Sequence, residues 1–120
     1  MKRGEVYLYP LGGRDTVGAA GTAHESLVPV VVLTRDAINR HGPVVLVAPI
    51  VESGPVPRPY PSDVIVRAPE GGLTADGLVL TMQLRAVPRE RLSRPLGLLS
   101  ASAVAEIDRA LRITLDLEEG

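Results

Sequence analysis

The chain has 120 residues, with 13 Lys and Arg against 14 Asp and Glu, so its formal net charge of -1 provides no overall attraction to nucleic acid. It contains no cysteine and two histidines, which excludes disulfides and thiolate metal sites and argues against a zinc site built by the protein. Its three tyrosines are its entire aromatic content, which argues against a binding surface built on extensive base stacking.

We expect one domain over residues 1–120, because this length is typical of a single domain with a real core. No apolar run is long enough to cross a bilayer, and Met1–Glu5 leads into a strand pattern with no signal-peptide core, so we expect a cytoplasmic protein. We also expect no metal and no cofactor.

Apolar, β-branched runs recur between Gly and Pro residues and predict six strands. These runs are Val6–Tyr9, Val28–Thr34, Pro43–Val51, Asp63–Arg67, Gly77–Val87 and Pro95–Leu98. Their spacing is typical of a small, mostly antiparallel barrel or curled sheet, so the predicted fold is an α+β domain with an SH3-like curled β-barrel. The central runs at 30–33 and 44–47 are apolar on both faces, and we expect them to be the most buried.

The segments between these runs predict loops, short helical turns and one long helix. Leu11–Glu25 has no periodicity and is either a functional loop or disordered. Short helical turns are expected at Asp36–Arg40, capped by Asp36, and at Pro88–Leu92. From Ser100 or Ser102 onward, apolar residues recur at helical spacing and predict a C-terminal amphipathic helix, with Asp108 four residues before Arg112 as a weak surface pair.

Six segments resemble the MazF/PemK family of toxin ribonucleases in order and spacing. They include Lys2–Tyr7, Pro29–Arg40, Val44–Ile50, Gly72–Leu80, Gln83–Val87 and Arg91–Ser100. The resemblance implies a homodimer that cleaves single-stranded RNA without a metal and leaves a 2',3'-cyclic phosphate. A small acidic antitoxin is the partner that the resemblance implies.

The chain departs from the family at the two positions that carry the chemistry there. The resemblance implies an arginine directly before Pro29 and a threonine directly after Ile50, but this sequence has Val28 and Val51. Valine has neither a hydroxyl nor a charge, so these two side chains can neither transfer a proton nor stabilise charge on a phosphate.

Other polar residues are candidates for the missing chemistry. His24 and Glu25, just upstream of Val28, form either a relocated acid/base pair or a solvated loop segment. Arg35 and Arg40 form either a phosphate-binding edge or part of a turn.

Gln83 and Arg85 are predicted to share one face of a strand, as part of an RNA groove, a dimer contact or an ordinary polar surface. Ser53 either replaces the missing hydroxyl or is a turn serine. The candidate catalytic set is thus His24, Glu25, Arg35 and Arg85, and the candidate RNA-binding set is Arg35, Arg40, Ser53, Gln83 and Arg85.

Two functions follow from this sequence. One is a MazF-like endoribonuclease whose catalytic groups have moved. The other is a dimer that binds nucleic acid or an antitoxin without cleavage.

Overall fold

The computed structural model describes residues 1–11, 26–54 and 60–118, which form a mixed α+β fold. Seven strands and two helices follow one another in the order β1 (Glu5–Leu11), β2 (Ser26–Val32), α1 (Asp36–His41), β3 (Val44–Glu52), β4 (Asp63–Val66), β5 (Gly77–Leu80), β6 (Arg85–Pro88), β7 (Arg94–Leu98) and α2 (Ala101–Leu115). Short 3-10 turns lie at Glu70–Gly72, Thr81–Gln83 and Arg89–Arg91. Within the described ranges, no helix is long and apolar enough to cross a membrane.

All strands join one antiparallel sheet in the order β4-β5-β3-β2-β1-β7, and β6 also pairs with β3. The predicted α+β class and C-terminal helix are confirmed. The sheet does not close into a barrel, because β4 and β7 at its two ends do not pair with each other in the described part of the chain. Helix α2 instead packs on β4 and contributes Ala103, Ile107 and Ala110 to the core.

The prediction of one strand over Gly77–Val87 was wrong. β5 pairs with β3 at Ile50–Glu52 and β6 pairs with β3 at Val44–Val47, and the 3-10 turn crosses between them. The break lies beside Pro49, which has no N–H to donate to a ladder. The turn is anchored by the buried Thr81, whose hydroxyl contacts the Ser62 carbonyl and the Thr114 hydroxyl.

Two apolar clusters lie on the two faces of the sheet, as strand alternation requires. The first lies under α2 and includes Val31, Ala48 and Ile50. The second is covered by Leu92, which follows the Arg89–Arg91 turn, and includes Val30, Val47 and Val87. The run at 30–33 is buried as predicted, but Val44 and Leu46 are exposed because they lie outside both clusters at the start of β3.

Helix α2 begins at Ala101, and its N-cap is Ser100, one of the two serines that the sequence predicted for this position. The Ser100 hydroxyl accepts the Ala103 N–H at 3.2 Å, and the Ser100 N–H is donated to the Glu70 carboxylate at 2.7 Å. The predicted Asp108–Arg112 pair is not formed, because Asp108 pairs with Arg3 at 2.6 Å and so fastens the helix to the start of β1.

The predicted cap of α1 was also wrong. Asp36 is the first helical residue, and the N-cap residue Arg35 makes no side-chain capping bond. The Asp36 carboxylate instead accepts a hydrogen bond from the Arg3 N–H at 2.7 Å.

Candidate active-site cleft

A cavity of about 510 Å³ opens where β2 and β3 separate. Their pairing includes Val30 with Pro49 and ends there. Pro29 and Pro49 both lack an N–H, so neither can donate a ladder hydrogen bond at this point. The cavity walls come from the ends of β2 and β3, from β1, from residues 72–77 and from β7.

Val28 and Val51 both line this cavity. If the register of Val30 with Pro49 is continued by two residues on each strand, Val28 lies opposite Val51. Val28 also packs against the second apolar cluster, and Tyr9 is its partner on β1. The two positions that the family resemblance marks as catalytic therefore meet at one cavity, although valine gives neither of them any acid–base chemistry.

The rim of the cavity carries the polar groups. Its apolar walls include Leu8, Leu73 and Leu96, and its polar and charged lining residues are Glu52, Thr74, Asp76 and Arg94. Glu52 and Arg94 are exposed. None of the four was predicted from the sequence, because they are brought together by strand pairing and by the path of the chain before β5 and not by a local motif.

Asp76 stabilises the cavity wall through its carboxylate and its backbone carbonyl. One carboxylate oxygen accepts the Ala68 N–H at 2.9 Å, and the other pairs with Arg67 at 3.3 Å. The Asp76 carbonyl accepts the Ser53 N–H at 3.0 Å and the Ser53 hydroxyl at 3.3 Å. These bonds fasten the end of β3 to the 72–77 wall and give Ser53 a structural role at the cavity edge.

Arg85 lies on the sheet face that carries Val28 and Val51. It is opposite Val47 in the β3–β6 ladder and two residues before the buried Val87, so alternation directs its side chain to the second cluster. Val51 lies four residues beyond Val47 on β3, about 13 Å along the strand. The Arg85 Nε is buried and has no hydrogen-bond partner in the described part of the structure.

The other predicted site residues lie in different places. Gln83 is in the 3-10 turn before β6, so the prediction that it shares a strand face with Arg85 was wrong.

Arg35 and Arg40 are exposed at the two ends of α1 and do not line the cavity. Val28 and Arg35 are seven residues apart on a largely extended chain, which corresponds to roughly 20 Å. His24 and Glu25 lie outside the described residues.

Two tyrosines on β1 interact with basic residues of the Arg89–Arg91 turn. The Arg91 guanidinium is 5.3 Å from the centre of the Tyr9 ring, within the range of a cation–π contact. Burial raises the pKa of Tyr7, and the neighbouring Glu5 carboxylate raises it further. Tyr7 therefore stays a neutral hydroxyl at physiological pH.

The sequence matches known proteins along nearly its whole length. The model of the PemK-like, MazF-like toxins of type II toxin–antitoxin systems matches residues 2–115. The Mycobacterium tuberculosis (strain ATCC 25618 / H37Rv) protein named endoribonuclease MazF9 is 32% identical over 122 residues, covering 98% of each chain. The Staphylococcus epidermidis protein named endoribonuclease MazF is 32% identical over 117 residues, covering 98% of this chain and 92% of its own.

Solved structures of similar fold include toxins alone and toxins with antitoxins. An endoribonuclease from a mycobacterial species, in complex with its cognate antitoxin, has a TM-score of 0.75 at 22% identity and covers 100% of this chain and 99% of its own. The Mycobacterium tuberculosis toxin MazF-mt6 has a TM-score of 0.76 at 26% identity, with 96% and 99% coverage. The chain therefore belongs to the family of PemK-like, MazF-like toxins of type II toxin–antitoxin systems.

Proposed function

We propose that this protein is an endoribonuclease that cleaves single-stranded RNA and leaves a 2',3'-cyclic phosphate end. The observation that carries the proposal is the match of 98% of the chain to two relatives named endoribonucleases, each 32% identical. The cavity supports it, because the family's two catalytic positions, Val28 and Val51, both lie on its wall.

Positive charge beside this cavity would bind the RNA backbone. Among the residues predicted from the sequence as catalytic, Arg85 has the best structural support, because its side chain lies on the face of Val28 and Val51 and its Nε lacks a partner in the described structure, although Arg85 does not itself line the cavity. The catalytic roles of His24, Glu25 and Arg35 rest on sequence position. Arg40, Ser53 and Gln83 complete the proposed RNA-binding set, although Ser53 already bonds to Asp76.

We also propose that the protein is a homodimer that binds a small acidic antitoxin in the cytoplasm. Solved structures with antitoxin among its neighbours support the antitoxin. The exposed Ile38, Val44 and Leu46 support the homodimer, since an apolar surface of this kind is typical of a contact between subunits.

The test is incubation of the purified protein with a long unstructured RNA in EDTA, followed by analysis of the RNA ends. We expect discrete fragments whose 3' ends carry 2',3'-cyclic phosphate. Intact RNA, in the presence of protein shown to be folded by circular dichroism, would contradict the endoribonuclease proposal and leave a binding function.

A further inference from the structure

The two valines leave the proposed cleavage reaction without a base and without a cation at the family's positions. We infer that Glu52 and Arg94 supply these groups: Glu52 removes the proton from the ribose 2'-hydroxyl, and Arg94 binds the phosphate that is attacked. This inference rests on the proposed endoribonuclease function and names the catalytic residues for it.

Glu52 lies at the right place for a replacement base. It follows Val51 directly, ends β3 and lines the cavity. Strand alternation places it on the face of Ile50, opposite to the face of Val51, but Ile50, Val51 and Glu52 all line the cavity, and the Glu52 side chain is exposed. A carboxylate here is accessible to a substrate and fixed to the end of a strand, which limits its motion.

Arg94 faces the cavity from the opposite side. It begins β7 and is paired with Leu8 of β1, and Leu8 is paired with Pro29 of β2. Two interstrand spacings, roughly 10 Å, therefore separate Arg94 from Pro29, and the opening between β2 and β3 lies beyond Pro29. Glu52 and Arg94 line the same cavity of about 510 Å³, which has room for a phosphodiester group.

Neither Glu52 nor Arg94 forms an ion pair within the part of the chain that the structure describes. In residues 1–11, 26–54 and 60–118, the ion pairs join Arg3 to Asp108, Arg67 to Asp76 and the N-terminus to Glu5. Asp76 is the second carboxylate on the cavity wall. Its two carboxylate oxygens accept hydrogen bonds from Arg67 and from the Ala68 N–H. Glu52 is thus the described cavity-lining carboxylate that remains available for proton transfer.

The reaction balances with these two groups and one water molecule. The Glu52 carboxylate takes the 2'-hydroxyl proton as the 2'-oxygen forms a bond to phosphorus. The bond between phosphorus and the 5'-oxygen then breaks, and the departing 5'-oxygen takes a proton from water. The hydroxide formed in this way takes the proton held by Glu52, which restores the carboxylate and the water molecule. The planar Arg94 guanidinium binds two phosphate oxygens as negative charge develops on them, and this contact stabilises the transition state.

The experiment compares Glu52→Gln and Arg94→Gln with matched controls Glu106→Gln and Arg109→Gln. Both control residues are exposed on α2 and line a different groove, between α2 and β4. We expect each cavity variant to lower the cleavage rate about 100-fold or more, and each control to cleave like the parent. Glu52→Gln should also remove the acidic limb of the pH–rate profile, which a structural role would not do.

A second measurement keeps this inference separate from the proposed function. Binding of an uncleavable 2'-O-methyl RNA is measured against salt concentration for all five proteins. Arg94→Gln should weaken binding and reduce the salt slope by about 0.7, the value of one phosphate contact on a single strand, while Glu52→Gln should bind no more weakly than the parent.

Each outcome decides a different point. If the parent cleaves and the Glu52 and Arg94 variants cleave like their controls, the catalytic assignment is overturned. If the parent fails to cleave while Arg94→Gln still weakens binding, the endoribonuclease proposal fails and the phosphate site stands. If Arg94→Gln binds and cleaves like Arg109→Gln, Arg94 has no role at the cavity. Thermal unfolding of every variant identifies any loss caused by misfolding.

Discussion

Val28 and Val51 line the same cavity from two strands whose pairing ends two residues earlier. They are therefore neighbours across a gap in the sheet and not part of a continuous ladder. The gap follows from Pro29 and Pro49, which withhold two N–H donors where the strands diverge. The two positions that the family resemblance marks as catalytic thus border one cavity, and both carry valine.

The first prediction is that Val28→Arg combined with Val51→Thr raises RNA cleavage above the parent. Val51 is only partly buried, so a threonine of nearly equal volume fits there and its hydroxyl can reach water. Val28 is also partly exposed, which allows an arginine to extend into the cavity with its charge solvated. The initial rate of cleavage of a long unstructured RNA measures the effect.

Two single variants serve as controls for this pair. Val28→Leu and Val51→Ala change the volume of the cavity wall without adding polar chemistry, and we expect neither to gain activity. A folded double variant that cleaves no faster than the parent would contradict the prediction. It would show that the RNA lies elsewhere than beside these two residues.

The sequence was sufficient to predict most of the strands, the helix and its cap, because apolar periodicity and a serine at a helix start are local signals. The break between β5 and β6 could not be predicted, since it depends on Thr81 bonding to Ser62 and Thr114, which are distant in sequence. Glu52 and Arg94 were missed for the same reason. They meet at one cavity only through the register of β7 on β1 and of β1 on β2.

The second prediction concerns Glu70, which accepts the backbone N–H of the α2 cap Ser100 at 2.7 Å. Its hydrogen bonds with Ser100 lower the pKa of Glu70 below its ordinary value of 4.5. A carboxyl whose pKa is lower in the folded state contributes stability above its unfolded pKa and loses it as the pH falls through the folded pKa. A glutamine at position 70 can still accept the Ser100 N–H, so Glu70→Gln removes only the charge of the acceptor, and we expect it to lower the free energy of unfolding by roughly 0.5 kcal/mol at pH 7.

The check is urea unfolding of the parent and Glu70→Gln at pH 7 and at several values below 4.5. The difference in stability between the two proteins should shrink as the pH falls, because the parent's carboxylate becomes protonated. A difference that stays constant over this range would show that the charge of Glu70 does not contribute.

The third prediction concerns the exposed apolar side chains at the start of β3. Leu46 is 41% exposed and Val44 is 47% exposed. If this surface joins two copies of the chain, Leu46→Arg should shift the protein from dimer to monomer, because a buried unpaired charge is costly at an apolar contact. Sedimentation at micromolar concentration measures the shift.

Leu98→Arg is the matched control, because Leu98 is also an exposed leucine on a strand, at 54% exposure, but lies on β7. We expect this variant to keep the oligomeric state of the parent. Equal effects of the two substitutions, or a parent that is monomeric at this concentration, would place the dimer contact elsewhere or remove it.

The fourth prediction concerns Thr81, the buried residue at the crossing from β5 to β6. Its hydroxyl contacts the Ser62 carbonyl and lies 2.8 Å from the Thr114 hydroxyl of α2, so it connects the sheet to the C-terminal helix. Thr81→Val keeps the shape of the side chain and leaves two polar neighbours without this partner, which should cost about 1–3 kcal/mol of unfolding free energy. Thr81→Ser retains the hydroxyl and should lose less unfolding free energy than Thr81→Val.

A double-mutant cycle on Thr81 and Thr114 measures the coupling free energy between these two residues. A coupling near zero would show that this contact does not hold α2 on the sheet.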